Sequence, residues 1–382
     1  MASVVHENVK SYYGSRLQTS SDLQTNATCS KPARPLPKSA AEALKHVHPE
    51  VCSRYFGCGL VIPEKLEGCK ILDLGSGSGR DCYVLSKLVG KDGRVTGLDM
   101  TEEMILISQK YVQYHQEKFG YEEPNMEFVQ GYMERLRDAG IESNSLDVIV
   151  SNCVICLCPD KRAVLKEAYQ ALKEGGEFYF SDMYASKVVP ESFKEDQVLW
   201  GEGMAGALYW QDLISLTKEI GFSTPCLVSS SRIVVHNPDL QKKTGDVQYA
   251  SGTYRFFKIP RDLVKTRAVV TYRGTVLDCA EQLEFDASHV FKTGAPVEVD
   301  AEMAAILQLS RFSVDFSIQK LDTPEHKQDP NPSQFCHLSP FLLADRLGCS
   351  IQQCSKTGKT GDGGKDPSTV CDGKTTTGAC KQ

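Results

Sequence analysis

The sequence has no run of eighteen or more apolar residues, so no helical membrane span is expected. Positive charge is not in excess either. With 43 Lys and Arg against 49 Asp and Glu, the formal net charge is -6, and without a basic run a nucleic-acid backbone is not expected as the main partner. The eight histidines do not cluster and no two C-x-x-C motifs stand at zinc spacing, which argues against a structural zinc finger. There is no internal repeat. The first residues, Met1 to Arg16, are polar rather than signal-like. A cytosolic protein that binds neither membrane nor nucleic acid is the expectation.

Cysteine, by contrast, is plentiful, with 15 among 382 residues. A chain of this length with 41% hydrophobic residues can build a sizeable core without disulfides. Without an export signal, metal-like or redox roles for the thiols become the better reading. Cys153-Val154-Ile155-Cys156 is the one C-x-x-C, followed at once by Cys158. Cys52, Cys69, Cys82, Cys226 and Cys279 are scattered and read as packing residues. Cys336, Cys349, Cys354, Cys371 and Cys380 fall in a polar C-terminal stretch.

The strongest motif is Ile71-Leu72-Asp73-Leu74-Gly75-Ser76-Gly77-Ser78-Gly79-Arg80-Asp81, an apolar strand ending in alternating glycines that run into a helix. Residues without side chains let a ligand touch the backbone amides at a helix N-terminus. About twenty residues further on, Val95-Thr96-Gly97-Leu98-Asp99-Met100 reads as the next strand, with Asp99 placed to accept from a ribose diol. A dinucleotide loop reads G-x-G-x-x-G; here the spacing is G-x-G-x-G and Arg80 follows, a poor fit to pyrophosphate. With Asp73 ahead of it, this form resembles the first motif of the class I S-adenosylmethionine methyltransferases. A nicotinamide or flavin dinucleotide and a purely structural glycine turn are the alternatives.

Strands near 70–74, 94–99, 126–130, 146–151 and 176–182 alternate with helices near 79–89, 102–118 and 161–173, the last stopped by Gly175-Gly176. The alternation predicts an α/β fold, a doubly wound mostly parallel sheet with helices on both faces. Residues 1–66 form a Cys-bearing N-terminal segment with a helix from Ala40 to Tyr55, and 67–184 the cofactor-binding core. Residues 185–260, with helices around 192–207 and 209–220 and strands at 233–235 and 254–257, complete the sheet and form a lid. Residues 261–322 read as a small α+β unit with strands at 268–272 and 287–291 and a helix at 300–310. Residues 323–382 read as a disordered tail.

Arg54-Tyr55-Phe56-Gly57-Cys58-Gly59, Ser151-Asn152-Cys153-Val154-Ile155, and Val198-Leu199-Trp200-Gly201-Glu202 with Ala207-Leu208-Tyr209-Trp210 resemble the arsenite methyltransferases that use S-adenosylmethionine. The resemblance covers about residues 8–320. It implies methyl transfer from S-adenosylmethionine to trivalent arsenic, giving mono- and dimethylated arsenicals, with Cys29, Cys58 and Cys153 as the metalloid-handling thiols. Tyr55 and the Tyr12-Tyr13-Gly14 block match segments that lie against the cofactor. Thiolates are the soft ligands a protein offers a thiophilic centre, so the chemistry agrees with the residue types.

For the cofactor, Asp73, Gly75, Ser76, Gly77 and Gly79 are expected around the amino acid portion, Asp99 on the ribose and Met100 beside the adenine. Met133 packs on the ring and Glu134 accepts from its amino group, unless Glu134 is simply an acid favoured at a helix start. Ser151 and Asn152 line the floor near the methyl. Arsenite or its glutathione conjugates, and methylarsenite, are the expected substrates, glutathione or thioredoxin the reductant, and a monomer the expected state. A methyltransferase acting on an oxygen or carbon acceptor and a non-catalytic metalloid-binding protein are the alternatives.

One departure stands out. The family commonly carries a fourth cysteine in the tryptophan-glycine-glutamate block, whereas this chain reads Gly201-Glu202-Gly203-Met204. Either three thiols suffice for an enzyme that stops early or runs slowly on methylated arsenic, or Cys156 or Cys158 compensates.

Overall fold

Ile71, Leu72 and Leu74, the apolar residues ahead of the glycines, are buried at the centre of a sheet covered on both faces. The fold is that of a computed structural model, which describes residues 2–16, 36–57, 59–321 and 337–348. The described residues fall in one compact unit spanning residues 1–351. Cys29 lies outside them, as does Cys58.

The chain starts with helix α1 (Ala2–Ser11), which runs into a turn of π-helix at Tyr12–Arg16, and continues with α2 (Lys38–Lys45) and α3 (Pro49–Ser53). The expected single helix from Ala40 to Tyr55 is therefore two. Pro49 has no N–H to continue a helix but suits the first turn of a new one, and the His48 ring accepts from Glu50 N at 3.2 Å. Next come β1 (Lys70–Leu74), α4 (Arg80–Val89), β2 (Arg94–Asp99), α5 (Glu102–Lys110), α6 (Val112–Phe119), β3 (Met126–Gln130), β4 (Leu146–Asn152), α7 (Lys161–Ala171) and β5 (Leu172–Ala185). The helix expected over 102–118 breaks at Tyr111 into α5 and α6.

Beyond β5 lie α8 (Gln197–Gly201), β6 (Leu208–Tyr209), α9 (Trp210–Ile220), β7 (Cys226–Ile233), α10 (Pro238–Thr244) and β8 (Tyr249–Phe257). The expected helix over 192–207 shrinks to a 3-10 turn at Glu191–Glu195 plus α8. The strand expected at 233–235 instead ends at Ile233. The sheet order is β3-β2-β1-β4-β5-β8-β7, with β6 beside β5. Strands β1 to β5 are parallel, and β8 runs antiparallel to both of its neighbours, β5 and β7. Alternation sends Ile71, Val148 and Val150 to one face against Val84 and Leu85, and Leu72, Leu74 and Ile149 to the other against Leu165 and Ala168.

Gly175-Gly176 does not stop a helix. Helix α7 ends at Ala171, and β5 runs through both glycines with a register shift between Leu146 and Val148. Gly175 sits at φ +74°, donates from N to Lys258 O at 2.8 Å, and a Cβ there would collide with Leu309 O. Its lack of a side chain permits the close approach of the C-terminal elements.

Those elements are β9 (Ala268–Tyr272), β10 (Gln282–Glu284), β11 (Val290–Lys292), β12 (Pro296–Val299), α11 (Ala301–Leu309) and β13 (Phe316–Lys320). Strand β11 is shorter than the 287–291 run suggested. Strand β9 lies between β12 and β13, and β10 pairs with β11, around Tyr272, Phe285, Phe291, Phe312 and Phe316. A buried ion network ties them to the main sheet. Arg255 Nε donates to Glu177 Oε1 at 2.6 Å, its Nη1 reaches Phe285 O at 2.9 Å and Glu64 Oε2 at 3.2 Å, and Arg311 takes the other Glu177 oxygen.

The supposedly disordered tail contains order. Helix α12 (Pro340–Arg346), capped by Ser339, buries Phe341, Leu343 and Ala344. Ser230 Oγ donates to Pro340 O at 2.6 Å, and Tyr254 OH to Leu338 O at 2.7 Å. Residues 322–336 and 349–382 lie outside the described residues. Among the described residues no helix is long and apolar enough to cross a membrane.

Candidate active site

The glycine loop closes one end of a cavity of about 980 Å³ at the carboxyl edge of β1, β2 and β4, the place where open parallel sheets bind ligands. Gly75 N and Ser76 N both donate to Leu98 O, at 2.7 and 3.0 Å, which pins the loop to β2. Gly75, Gly77 and Gly79 all adopt positive φ. Their roles differ. A Cβ on Gly75 would strike Val154, and one on Gly79 would strike Phe128, whereas one on Gly77 would enter open space. Gly75, Ser76 and Gly77 line the cavity; Gly79 does not, and acts by seating α4 against β3.

Three aspartates gather behind the loop. Asp99 Oδ2 accepts from Gly77 N at 2.9 Å and Oδ1 from Thr101 N at 2.8 Å. Burial raises its pKa, and these backbone donors oppose the rise. Asp73 is pushed up to about 8 by burial and then by the neighbouring charge of Asp81, while Cys82 Sγ donates to it at 3.2 Å. Asp81 accepts from Arg80 Nε and from Asn152 Nδ2, both at 2.9 Å.

Over this floor lies the segment 54–59. The Arg80 guanidinium stacks on the Tyr55 ring, 3.1 Å from its centroid, and donates to Gly59 O at 3.1 Å. The Tyr55 hydroxyl also bonds Gly59 O, and Asn152 Nδ2 donates to the hydroxyl at 2.6 Å and to Gly59 O at 2.7 Å. Tyr55 and Asn152 line the cavity. Ser151 does not: it is buried and donates to Leu74 O at 3.2 Å, which ties β4 to β1.

Helix α1 forms the opposite wall. His6 Nε2 meets Glu134 Oε1 at 2.8 Å, and Lys10 Nζ donates to Tyr132 OH at 2.7 Å. Tyr12 OH donates to Glu202 Oε1 at 2.7 Å, and Tyr13 OH to Gly201 O at 2.9 Å. Met100, Met133 and Glu134 line this side, with Cys158 Sγ donating to Glu134 Oε1 at 2.8 Å. Sequence reasoning missed His6, Val9 and Cys158 as wall residues. It also missed Asp81, whose place in the first turn after the glycines was the available signal.

Cys153 lines the same cavity. It takes φ +54°, costly for a residue with a Cβ, and its N donates to Ser181 O at 2.8 Å. It is disulfide-bonded. Among the described residues no three His, Cys, Asp or Glu side chains are grouped to hold a metal ion. Cys156 points elsewhere, into a neighbouring cavity of about 250 Å³ with Lys161 and Asp182. Gly203, at φ +81°, faces it: a Cβ on Gly203 would lie 2.9 Å from Cys156 Sγ.

The chemistry of this lining discriminates between ligands. Asp73, Asp81, Asp99 and Glu134 present carboxyl groups to the cavity, with Arg54 and His6 the basic residues in its wall. Such a surface repels a pyrophosphate and suits a ligand bearing a sulfonium and an ammonium. Ser76 Oγ is buried without a protein partner, and Gly77 leaves an open face beside it. Both fit the amino acid end of S-adenosylmethionine.

A family model described as "Methyltransferase domain" matches residues 65–221, and one described as "Arsenite methyltransferase C-terminal domain" matches 265–367. The arsenite methyltransferase of Rattus norvegicus is 49% identical over 362 residues, covering 94% of this chain and 97% of the relative. That of Homo sapiens is 51% identical, covering 83% and 84%. The crystal structure of an arsenic (III) S-adenosylmethionine methyltransferase from Chlamydomonas reinhardtii superimposes with a TM-score of 0.73 at 38% identity, covering 78% of this chain and all of that one. Glycine loop, acidic cofactor cavity, wall cysteine and near full-length likeness agree, and the chain belongs to the arsenite methyltransferase family.

Proposed function

We propose that Cys29, Cys58 and Cys153 are the thiols that hold trivalent arsenic for methylation by this S-adenosylmethionine-dependent arsenite methyltransferase. The observation that carries this reading is the placement of Cys153 in the wall of the cavity built by Gly75, Gly77, Asp73 and Asp99. S-adenosylmethionine supplies an electrophilic methyl on a sulfonium. The chain's own residues bind and orient: Asp73, Ser76 and Gly77 receive the amino acid portion, Asp99 the ribose diol, and Met100 and Met133 the adenine faces. Glu134, held by His6 and Cys158, accepts from the adenine amino group.

Arsenic bound to thiolates keeps a lone pair and attacks the methyl without losing a proton, so positioning and exclusion of water are the protein's main contributions. The residues agree with that division of labour. The one histidine lining the cavity among the described residues, His6, is engaged by Glu134. Tyr55, Asn152 and Arg80 hold segment 54–59 over the floor and shield it from water. Mono- and dimethylated arsenicals are the products. Glutathione or thioredoxin returns oxidised thiols to the reduced state, and the chain acts as a monomer in the cytosol.

Arsenite-dependent consumption of S-adenosylmethionine tests the reading. Cys153→Ser should abolish it while cofactor binding, read by calorimetry, persists. Normal turnover by that variant would remove Cys153 from the site.

A further inference from the structure

Cys156 is a thiol that the cofactor cavity does not use. It sits three residues after Cys153, where the chain bends and enters a 3-10 turn at Ile155–Leu157. Both cysteines are tied to consecutive residues of β5, Cys153 through its N to Ser181 O at 2.8 Å and Cys156 through its N to the Asp182 carboxylate at 3.0 Å. They therefore hang from one short stretch of the sheet.

The Cys156 side chain projects at the loop that follows α8. A Cβ built on Gly203 would lie 2.9 Å from Cys156 Sγ, so a side chain there would require the thiol to shift. In its present rotamer the Cys156 sulfur fills the gap that Gly203 leaves. The backbone around that gap also reaches the cofactor cavity: Tyr13 donates to Gly201 O and lines the cavity wall. Beside the thiol lie the Asp182 carboxylate, which accepts its hydrogen bond, and Lys161, whose Nζ donates to Cys158 O at 2.8 Å.

We propose that Cys156 is an arsenic ligand whose thiol turns out of the gap facing Gly203 to join Cys153. The inference rests on the reading of Cys153 as a metalloid thiol and adds a second sulfur from the same turn. The step is a ligand exchange without oxidation. An arsenic–hydroxide bond breaks, an arsenic–sulfur bond forms, the thiol proton leaves with the hydroxide as water, and arsenic stays trivalent. The thiol must turn from its small cavity towards Cys153 to bind, a change of side-chain rotamer.

The test uses the full-length, reduced protein with one equivalent of arsenite. In the wild type, arsenite should slow alkylation of Cys156 in step with Cys153, read by peptide mass spectrometry. Protection of Cys153 with Cys156 alkylated at its arsenite-free rate would overturn the inference and leave the proposed function standing; protection of neither would remove the thiol site altogether. Arsenic X-ray absorption gives a second readout. Cys156→Ala should lower the sulfur neighbours of arsenic by one and weaken arsenite binding about tenfold or more, whereas Cys279→Ala should change neither. Cys156→Ala combined with Gly203→Cys moves the thiol across the same gap and should regain the lost sulfur. An unchanged sulfur count in Cys156→Ala would sink the proposal.

Discussion

Asp73 carries the most unusual proton in the cofactor site. With its carboxyl pushed up to about 8 by burial and by Asp81, it is mostly protonated at neutral pH while the cavity holds no cation. A bound ammonium favours the ionised form, so binding releases a proton below that pH. Affinity for S-adenosylmethionine should rise from pH 6 to about 8 and then level off, measured by titration calorimetry in buffers of different ionisation enthalpy. Asp73→Asn should flatten this profile and lose about 1.5–3 kcal/mol of binding, tenfold or more. The sign for stability is opposite. An acid whose folded pKa exceeds its unfolded value binds more protons when folded, so the empty protein loses stability as pH climbs from about 4 to 8, and saturating cofactor removes that loss.

Which residues line the cavity was legible in the sequence where a local pattern fixes them. Asp73, Gly75, Gly77 and Asp99 follow from a strand, a turn and the next strand, all within thirty residues of chain. Gly79, in the motif, and Ser151, at the end of β4, do not line the cavity, because whether a residue points at ligand or at packing depends on Phe128 and Leu74, which no local pattern reveals. From the sequence, Cys158 suggests only a metalloid thiol. Its actual partner, Glu134, lies 24 positions away, and only the tertiary fold joins them.

At the scale of elements, α6 is held to α3 and α4 by a histidine that must stay neutral. The His115 ring stacks on Tyr83 with centroids 3.5 Å apart, Nδ1 lies 2.7 Å from Tyr111 O, and Nε2 accepts from His48 N at 3.2 Å. Protonating Nε2 would break the last bond. Burial lowers the pKa to about 4, so the unfolded chain binds the proton first and stability falls as pH drops from about 6.5 to 4. Thermal unfolding of the cofactor-saturated protein, in which the Asp73 contribution is absent, should show this fall, and His115→Gln should make it shallower. An equal slope in the variant would refute the assignment.

Elements were legible in proportion to their burial. Strands β1, β2 and β3 begin and end where the hydrophobic runs predicted; β1 and β2 lie inside the sheet, and the edge strand β3 still buries Met126 and Phe128. Helix α1 was read as a polar leader. Its apolar side is only Val5 and Val9, too little for periodicity, and its docking rests on Lys10 and His6 meeting Tyr132 and Glu134 from more than a hundred residues away. Gly175-Gly176 misled for a related reason, since a glycine pair marks a helix end and a bulged strand equally well.

For the molecule as a whole, Glu177 is the joint. Burial alone would raise its pKa, but the Arg255 and Arg311 guanidiniums hold its carboxyl below the ordinary glutamate value. Arg255 is fully buried and also reaches the C-terminal elements through Phe285 O. Breaking one side of such a pair leaves an uncompensated buried charge, at a cost of about 3–5 kcal/mol. Glu177→Gln should therefore lower the urea midpoint and separate the melting of residues 268–320 from that of the main sheet, seen by hydrogen exchange. A single cooperative transition at the wild-type midpoint would contradict this role.

Helix α12 changes what removal of the polar C-terminus means. Phe341, Leu343 and Leu338 complete the packing around Tyr184, Tyr254 and Leu227, and Arg232 is anchored to Asp345 at 2.7 and 2.9 Å. A protein shortened to residue 321 would bare that apolar patch on β7 and β8, inviting self-association. Loss of turnover after such trimming would then report clumping rather than a need for the thiols of Cys349, Cys354, Cys371 and Cys380. Trimming after Gly348 removes those four sulfurs and keeps the patch covered.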